Sequence, residues 1–559
     1  MKKYGALLAA IVGGLLLAIW ATTPPSARPA DAPETLFSAS RAMEDVRTIA
    51  AEPHPTGSAQ NAEVRAYIIA RLQSLGMEVT TTTGLVPERG LDKFGHWSGT
   101  RPDSLTFTNI IGVLPGKDRT LPAVAIMSHH DTVWASPGAP DDTAGVAATM
   151  ETIRAINAQG GAERDIVAII TDAEELGLNG ARQFFAENPL RERIGAVINL
   201  EARGGGGRTT LFQTSSDNGE AVAAYAAAVD RPAGSSLSAF VYEVLPNDTD
   251  LTPALEGPYT AYNLAFIGRS GLYHSPKATP DNLDQGALQD MGDQTLQLTR
   301  ALASSDAHPG KTPNATFFDV FGLFTMAYGA IAGWVLLIAT MALHAGAYLR
   351  REKGDNPLKA LGASLGVIVG GGILLYVFNL VSGAGGEANY YDRLAAIPRL
   401  EVQALLLSIA VLAATSPWWA GRNYSVVGLV LALAAHFFAP TTSYLIVWPL
   451  LIAGLAGVAV SRVSDAVATP IKIVAGAVII GFLLQYGHQL MQGVGPDYPS
   501  LVALIAALAL PVLGLLVPEA KARPALGLAG ICLLTAFVIA LWVRLDPVAD
   551  TVAAYASLK

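Results

Sequence analysis

His129 and Asp131 in SHHDTV, Asp141 in GAPDDTAG, Glu174 and Glu175 in TDAEELG, Glu201 in NLEARGGGG and His274 in GLYHSP are spread over about 150 positions of a 559-residue chain. They offer two imidazoles, a potential bridging carboxylate, two terminal carboxylates and one spare glutamate. That inventory suits two zinc ions about 3.5–4 Å apart with one water activated between them. The single cysteine, Cys532, lies in an apolar run, so a Cys-based zinc site and an internal disulfide are both excluded.

Each motif has a bland reading beside the chemical one. In SHHDTV, His129 can bind metal through one ring nitrogen while Asp131 orients the ring from behind; a lone H-x-D is weak evidence and more often a strand-end turn. His130 reads as packing or solvent-facing. Asp141 and Asp142 lead into a helical stretch, where one carboxylate could cap the helix. In the metal-binding reading Asp141 bridges the two ions and Asp142 belongs to the turn. TDAEELG is the most specific piece. Two adjacent glutamates after a buried strand are costly unless their charge is compensated. A ligand Glu175 beside a proton-accepting Glu174 resolves that cost. Glu201 enters four glycines, which permit close approach of backbone to a ligand. Tyr273, next to His274, is placed to stabilise an oxyanion.

These residues need a frame. Segments 122–128 (PAVAIMS), 165–171 (DIVAIIT), 195–200 (GAVINL) and 261–268 (AYNLAFIG) read as buried strands. Helical spacing runs through 38–76, interrupted by the turn AEPHPTGS and stopped at Gly76, and through TAGVAATMETIRAINAQG and LNGARQFFAENPL. Alternating strands and helices predict an α/β sandwich around a mostly parallel mixed sheet. His129, the segment Asp172–Glu175 and Glu201 then follow the C-terminal ends of strands, the edge where open α/β sheets bind ligands. His274 follows the fourth strand at the same rim.

Composition divides the chain. Mean hydropathy is +0.38 and only 15% of residues are charged, yet residues 25–310 have charges throughout while 320–545 are long apolar runs. An all-α polytopic membrane domain is therefore expected after the α/β domain. The net charge of −9, with no basic stripe, argues against nucleic acid as a partner. Met1-Lys2-Lys3 precedes an apolar run to Ala21 and a Pro-rich breaker, which suits either a cleaved signal or an anchor. Eight further spans are predicted at 324–347, 360–382, 402–419, 425–439, 443–460, 471–491, 500–517 and 525–543. Threading them with the first domain outside puts Arg350, Arg351, Lys353, Lys359, Arg422, Arg462, Lys472, Lys521 and Arg523 inside. Only Arg393, Arg399, Arg544 and Lys559 fall outside. That bias follows the positive-inside rule. The expected division is 1–24 as anchor or signal, 35–308 as the exported domain and 320–545 as a domain of about eight transmembrane helices. Polar His344, Asn379, Gln485 and His488 within the spans read as span-end or helix–helix contacts.

The order H-x-D, D-D-x-A-G, E-E-x-G, N-L-E and Y-H resembles the clan of co-catalytic zinc aminopeptidases and glutamate carboxypeptidases. PHPTGS, NLEARGGGGRTTLFQT, LPNDTDLTP and GLYHSPKATPDNL look like its vacuolar membrane protease and endoplasmic-reticulum metallopeptidase branch, which also joins an exported peptidase domain to many spans. The resemblance implies the zinc exopeptidase fold and two Zn2+ per catalytic domain. His129 and Glu201 would bind one ion, Glu175 and His274 the other, and Asp141 both. It further implies Glu174 as base and Asp131 as partner of a ligand. Ala144, where many members have serine, and Arg203, where cysteine or threonine is common nearby, depart from the pattern without touching a ligand.

The expectation is a membrane-anchored zinc exopeptidase, an aminopeptidase, acting on peptide substrates beside a lipid bilayer. Its catalytic domain would face the periplasm from a bacterial inner membrane, or an organellar lumen. Two rivals are a glutaminyl-cyclase-like acyltransferase, separable by metal stoichiometry and an N-terminal Gln peptide, and a non-catalytic receptor or transporter with a vestigial peptidase domain. A complete set of ligands plus a base disfavours the second.

Overall fold

Strands form where the sequence is apolar enough to be covered on both faces. In the computed structural model, which describes residues 4–245, 247–351, 355–386 and 390–546, a seven-stranded sheet is built from β1 (Glu78–Leu85), β2 (Thr106–Leu114), β3 (Ala123–His129), β4 (Ile166–Thr171), β5 (Ile194–Ala202), β6 (Gly206–Thr214) and β7 (Thr260–Gly268). Its order is β1-β2-β4-β3-β5-β7-β6. The four expected strands β4, β3, β5 and β7 are mutually parallel and central. The other three pair antiparallel at the margins and have no counterpart among the sequence-based expectations. Register pairs His129 with Thr171, which sets SHHDTV and TDAEELG side by side.

Successive residues of the central strands serve opposite faces. Val124, Ile126, Ile166, Ile170, Ile198 and Leu200 pack on one side with α2 (Ala39–Ile49), α5 (Ala144–Ala158) and α10 (Gln285–Ser304). Ala125, Met127, Val167, Ile169 and Val197 pack on the other, against α6 (Asn179–Glu187) and α9 (Leu251–Leu255). Each fully buried Ile or Leu contributes about 1.5–3 kcal/mol. α1 (Gly5–Thr22) lies outside this unit, whereas α3 (Ala59–Ser74), α4 (Glu88–Ser98), α7 (Gly219–Ala228) and α8 (Ser236–Val244) belong to it. The Oγ of Ser38 caps α2 by accepting from Arg41 N, and that of Ser58 caps α3 by accepting from Asn61 N. The unit runs from Thr23 to Ala327, past the expected boundary at 308, because β8 (Thr316–Asp319) pairs with β9 (Thr325–Tyr328) and Asp319 bonds to the backbone of Gly234.

α1 and the described residues from Tyr328 to Asp546 make the second, helical unit. Among the described residues six helices are long and apolar enough to cross a membrane: Gly5–Thr22, Ala330–Leu349, Pro357–Val381, Ile397–Ala414, Asp465–Val494 and Ala522–Leu545. A bent pair, Pro499–Leu508 with Leu510–Leu516, turns by 45°, and Val426–Phe438 and Tyr444–Val460 are shorter. All eight expected C-terminal segments are thus helical. The first starts at Ala330 and not at 324, since 325–328 is spent on β9; the third ends at Ala414, ahead of Pro417, and not at 419. Lys2, Lys3, Lys353 and Lys559, used in the charge argument, lie outside the described residues, as does Pro246 of LPNDTDLTP.

Small residues seat α1 on Asp465–Val494: a Cβ at Gly14 would come within 2.7 Å of Ile480 Cγ2. Three of the polar residues noted in the spans bond within the helical unit. His344 Nε2 faces Leu450 O at 2.9 Å; Asn379 donates to Pro496 O at 3.0 Å and accepts from the buried Arg393 at 2.5 Å. His488 meets Glu401 at 3.0 Å.

Candidate metal centre

The rim is assembled from strand ends. His129 is the last residue of β3, Glu201 the penultimate residue of β5, and Asp172 to Glu175 follow β4 directly. After β4 the chain reverses through Ala173 at φ 59° and Gly177 at φ 118°. This tight reversal turns Glu174 and Glu175 back over the sheet edge. Asp141 comes in on the connection to α5, across a cis peptide bond to Asp142. His274 follows the short 3-10 turn Ser270–Leu272.

Five of the expected residues form two triads that share one member: His129, Asp141 and Glu201, and Asp141, Glu175 and His274, each with its ligand atoms within 4.8 Å of one another. Asp141 reaches both imidazoles. Its Oδ1 is 3.1 Å from His129 Nε2 and its Oδ2 is 3.5 Å from His274 Nε2. His129 Nε2 stands 3.7 Å from Glu201, and His274 Nε2 stands 3.1 Å from Glu175. His129 Nδ1 donates to the backbone carbonyl of Asp131 at 3.0 Å, with the Asp131 carboxylate at 3.4 Å. The ring is thus held by the Asp131 main chain as well as its side chain, and Nε2 is left facing the carboxylates.

Charge crowding sets the electrostatics. Burial alone would depress the pKa of His129, but Asp131, Asp141 and Glu201 around it carry it well above the usual value. Burial pushes the Glu174 carboxyl well above the ordinary range; His129 pulls it back while Glu175, Glu201 and Asp250 raise it further. Asp141 moves the other way, to about 2: burial opposes this, but both histidines outweigh it. A cluster so rich in negative oxygen and imidazole nitrogen suits divalent cations that accept N and O ligands.

The remaining expected residues also have places. Asp142 accepts from Gly145 N at 3.1 Å and from His129 N at 3.3 Å, so it shapes the turn and belongs to neither triad. His130 is buried, with Nε2 3.1 Å from Thr108 O. Tyr273 stacks on His274 at 3.7 Å between ring centroids. The glycine run after Glu201 packs closely on neighbouring chain. A Cβ on Gly204 would meet Gly268 O at 2.3 Å, and one on Gly205 would meet Leu272 at 2.2 Å. The close approach is to the end of β7 and the segment before His274.

Four residues escaped the sequence-based reading. Thr56, in the turn between α2 and α3, bonds to Asp172. His54, two residues earlier, is fully buried. Asp250 is buried beside the cluster and bonded to Thr171; burial, with Glu201 and Asp131 adding to it and His129 opposing, brings its pKa to about 7. Tyr242, on α8, is raised by burial and by the nearby charges of Glu201 and Glu174. Thr56 and Asp250 lie in PHPTGS and LPNDTDLTP, and those motifs were the available signal.

Residues 109–299 match the family described as Peptidase family M28. Endoplasmic reticulum metallopeptidase 1 of Mus musculus is 29% identical over 344 residues, covering 57% of this chain and 38% of that protein. Its Homo sapiens counterpart is 31% identical, covering 46% and 30%, and the vacuolar membrane protease of Eremothecium gossypii is 30% identical, covering 51% and 29%. The matched part of the chain spans about a third of the length of these curated relatives. Among solved structures, an aminopeptidase from Aneurinibacillus sp. strain AM-1 aligns at 17% identity and a TM-score of 0.38, covering 50% of this chain and 98% of that one.

Proposed function

We propose that this chain, which carries a peptidase family M28 domain over residues 109–299, is a membrane-anchored two-zinc exopeptidase that trims peptides from a free N-terminus. The observation that carries the reading is the pair of ligand triads sharing Asp141, with Glu174 next in sequence to one ligand and outside both triads. His129 and Glu201 would hold one zinc, Glu175 and His274 the other, and Asp141 both. Bound there, zinc supplies Lewis acidity toward the scissile carbonyl and acidifies the attacking water.

The side chains do the rest. Glu174 takes the proton of the attacking water and returns it to the leaving amine as the C–N bond breaks. Tyr273, riding on the His274 ring, donates to the developing oxyanion.

The helical unit anchors this domain with about eight C-terminal spans, and α1 acts as a retained anchor, a reading supported by its close seating at Gly14. The Lys/Arg bias supports a catalytic domain on the non-cytosolic side, in the periplasm of a bacterial inner membrane or in an organellar lumen. The test uses full-length detergent-purified protein on free and N-acetylated peptides, with and without chelator. Only free N-termini should be cut, and chelator should stop it. Glu174→Gln should lower kcat by about 10²–10⁴-fold with the metal content unchanged; a near-parental rate would overturn the assignment of the base.

A further inference from the structure

We infer that Thr56 is a positioning residue of the metal centre, an inference that rests on the metal-binding reading above. Thr56 is about seventy residues from the nearest proposed ligand, in the turn between α2 and α3, and is 1% exposed. Its Oγ1 donates to Asp172 Oδ1 at 2.9 Å and lies 3.3 Å from Asp131 Oδ2. A hydroxyl has one hydrogen to give, and here it lies between two buried carboxylates.

Those carboxylates are committed elsewhere. Asp172 accepts from Thr108 N at 2.8 Å and from Ala173 N at 2.9 Å, which fixes the start of the turn after β4. Asp131 accepts from Glu174 N and Glu175 N and flanks the His129 ring. The Thr56 hydroxyl is thus the side-chain donor between the group that sets the turn and the group that sets the ligand. Arg65, on α3, approaches Asp172 no closer than 4.0 Å. Without the hydroxyl, the two carboxylates would face each other across a buried gap with no hydrogen between them, and a rotation of Asp131 away from Asp172 would relieve their repulsion. That rotation moves His129 and the Glu174–Glu175 backbone together.

The turn itself is held firmly, so Thr56 can transmit position. Ser58 N donates to Pro55 O at 3.1 Å, His54 N donates to Thr132 Oγ1 at 3.1 Å, and Asn61 donates to His54 O at 3.3 Å.

Thr56→Val removes the hydroxyl and keeps the shape; Thr56→Ser keeps the hydroxyl and removes a methyl. Both are made in the full-length chain. Zinc affinity is measured by competition with a chromophoric chelator, alongside kcat and KM. T56V should bind zinc more weakly by about 10–100-fold, with kcat lowered and KM little changed, and T56S should restore both. If T56V does not accumulate as folded protein, Thr56→Cys, with a weaker donor in the same place, must fall between parent and a full loss. Parental zinc affinity in T56V, or a T56S as weak as T56V, overturns the inference. Failure of the peptidase reading would show instead as a parent chain that cuts nothing.

Discussion

The carboxylate of Asp131 accepts the backbone N–H of Glu174 at 3.1 Å, which ties the orienting partner of one metal ligand to the main chain of the proposed base. Its second oxygen takes the N–H of Glu175 at 3.2 Å. Asp131 therefore does more than orient His129, the whole of its expected task. It locks the turn that carries a ligand and a base to the strand end that carries another ligand.

Asp131→Asn separates these tasks. The asparagine can present only one carbonyl oxygen, so its NH2 must confront either the N–H of Glu174 or that of Glu175. Zinc affinity and kcat should fall together by about 10–100-fold, whereas KM for a free peptide should stay near the parental value. Unchanged zinc affinity in chelator competition would show that the turn holds without the second acceptor.

What the sequence makes legible follows burial. β3 and β4 are buried along their whole length, and a strand covered on both faces is written as an unbroken apolar run. β1, EVTTTTGL, has no residue classed as buried, and its threonines carry no such signature. β6 opens on two glycines that read as loop. The same logic applies at the site. Charged residues at strand ends stand out because burial there needs a reason, so His129, Glu175 and Glu201 were visible. Thr56 was not: one hydroxyl in a turn has no spacing to betray it, and its meaning exists only once β3 and β4 bring Asp131 and Asp172 together.

The seating of α1 gives a test in the helical unit. At Gly14 an added Cβ would lie 2.7 Å from Ile480 Cγ2 and 3.0 Å from Gly481 N, whereas at Gly5 nothing among the described residues lies within 4 Å. Gly14→Leu should therefore overpack the contact, at a cost of about 1–3 kcal/mol, and Gly5→Leu should not. Thermal unfolding in detergent reads the difference. Equal melting temperatures for the two variants would mean that α1 does not pack on Asp465–Val494 in the protein.

His54 supplies a pH test away from the ligands themselves. Its ring is 0% exposed; Nδ1 donates to Glu52 O at 2.9 Å and Nε2 has no hydrogen-bond partner among the described residues. Burial, with His130 and His129 adding to it, lowers its pKa from 6.5 to about 4, although the Glu52 carbonyl and Asp131 oppose the change. The folded state thus binds fewer protons than the unfolded one between those values. Stability from this residue is fully present above pH 6.5 and is lost as pH falls toward 4, by at most about 3 kcal/mol at 1.36 kcal/mol per unit. Asparagine places its Nδ2 near the position of the histidine Nδ1, so His54→Asn keeps the bond to Glu52 O and removes the titration. Melting temperatures of the metal-free parent should drop across pH 6.5 to 4 more steeply than those of H54N. Parallel curves for the two proteins would show that the ring is already charged, or already in water, in the folded chain.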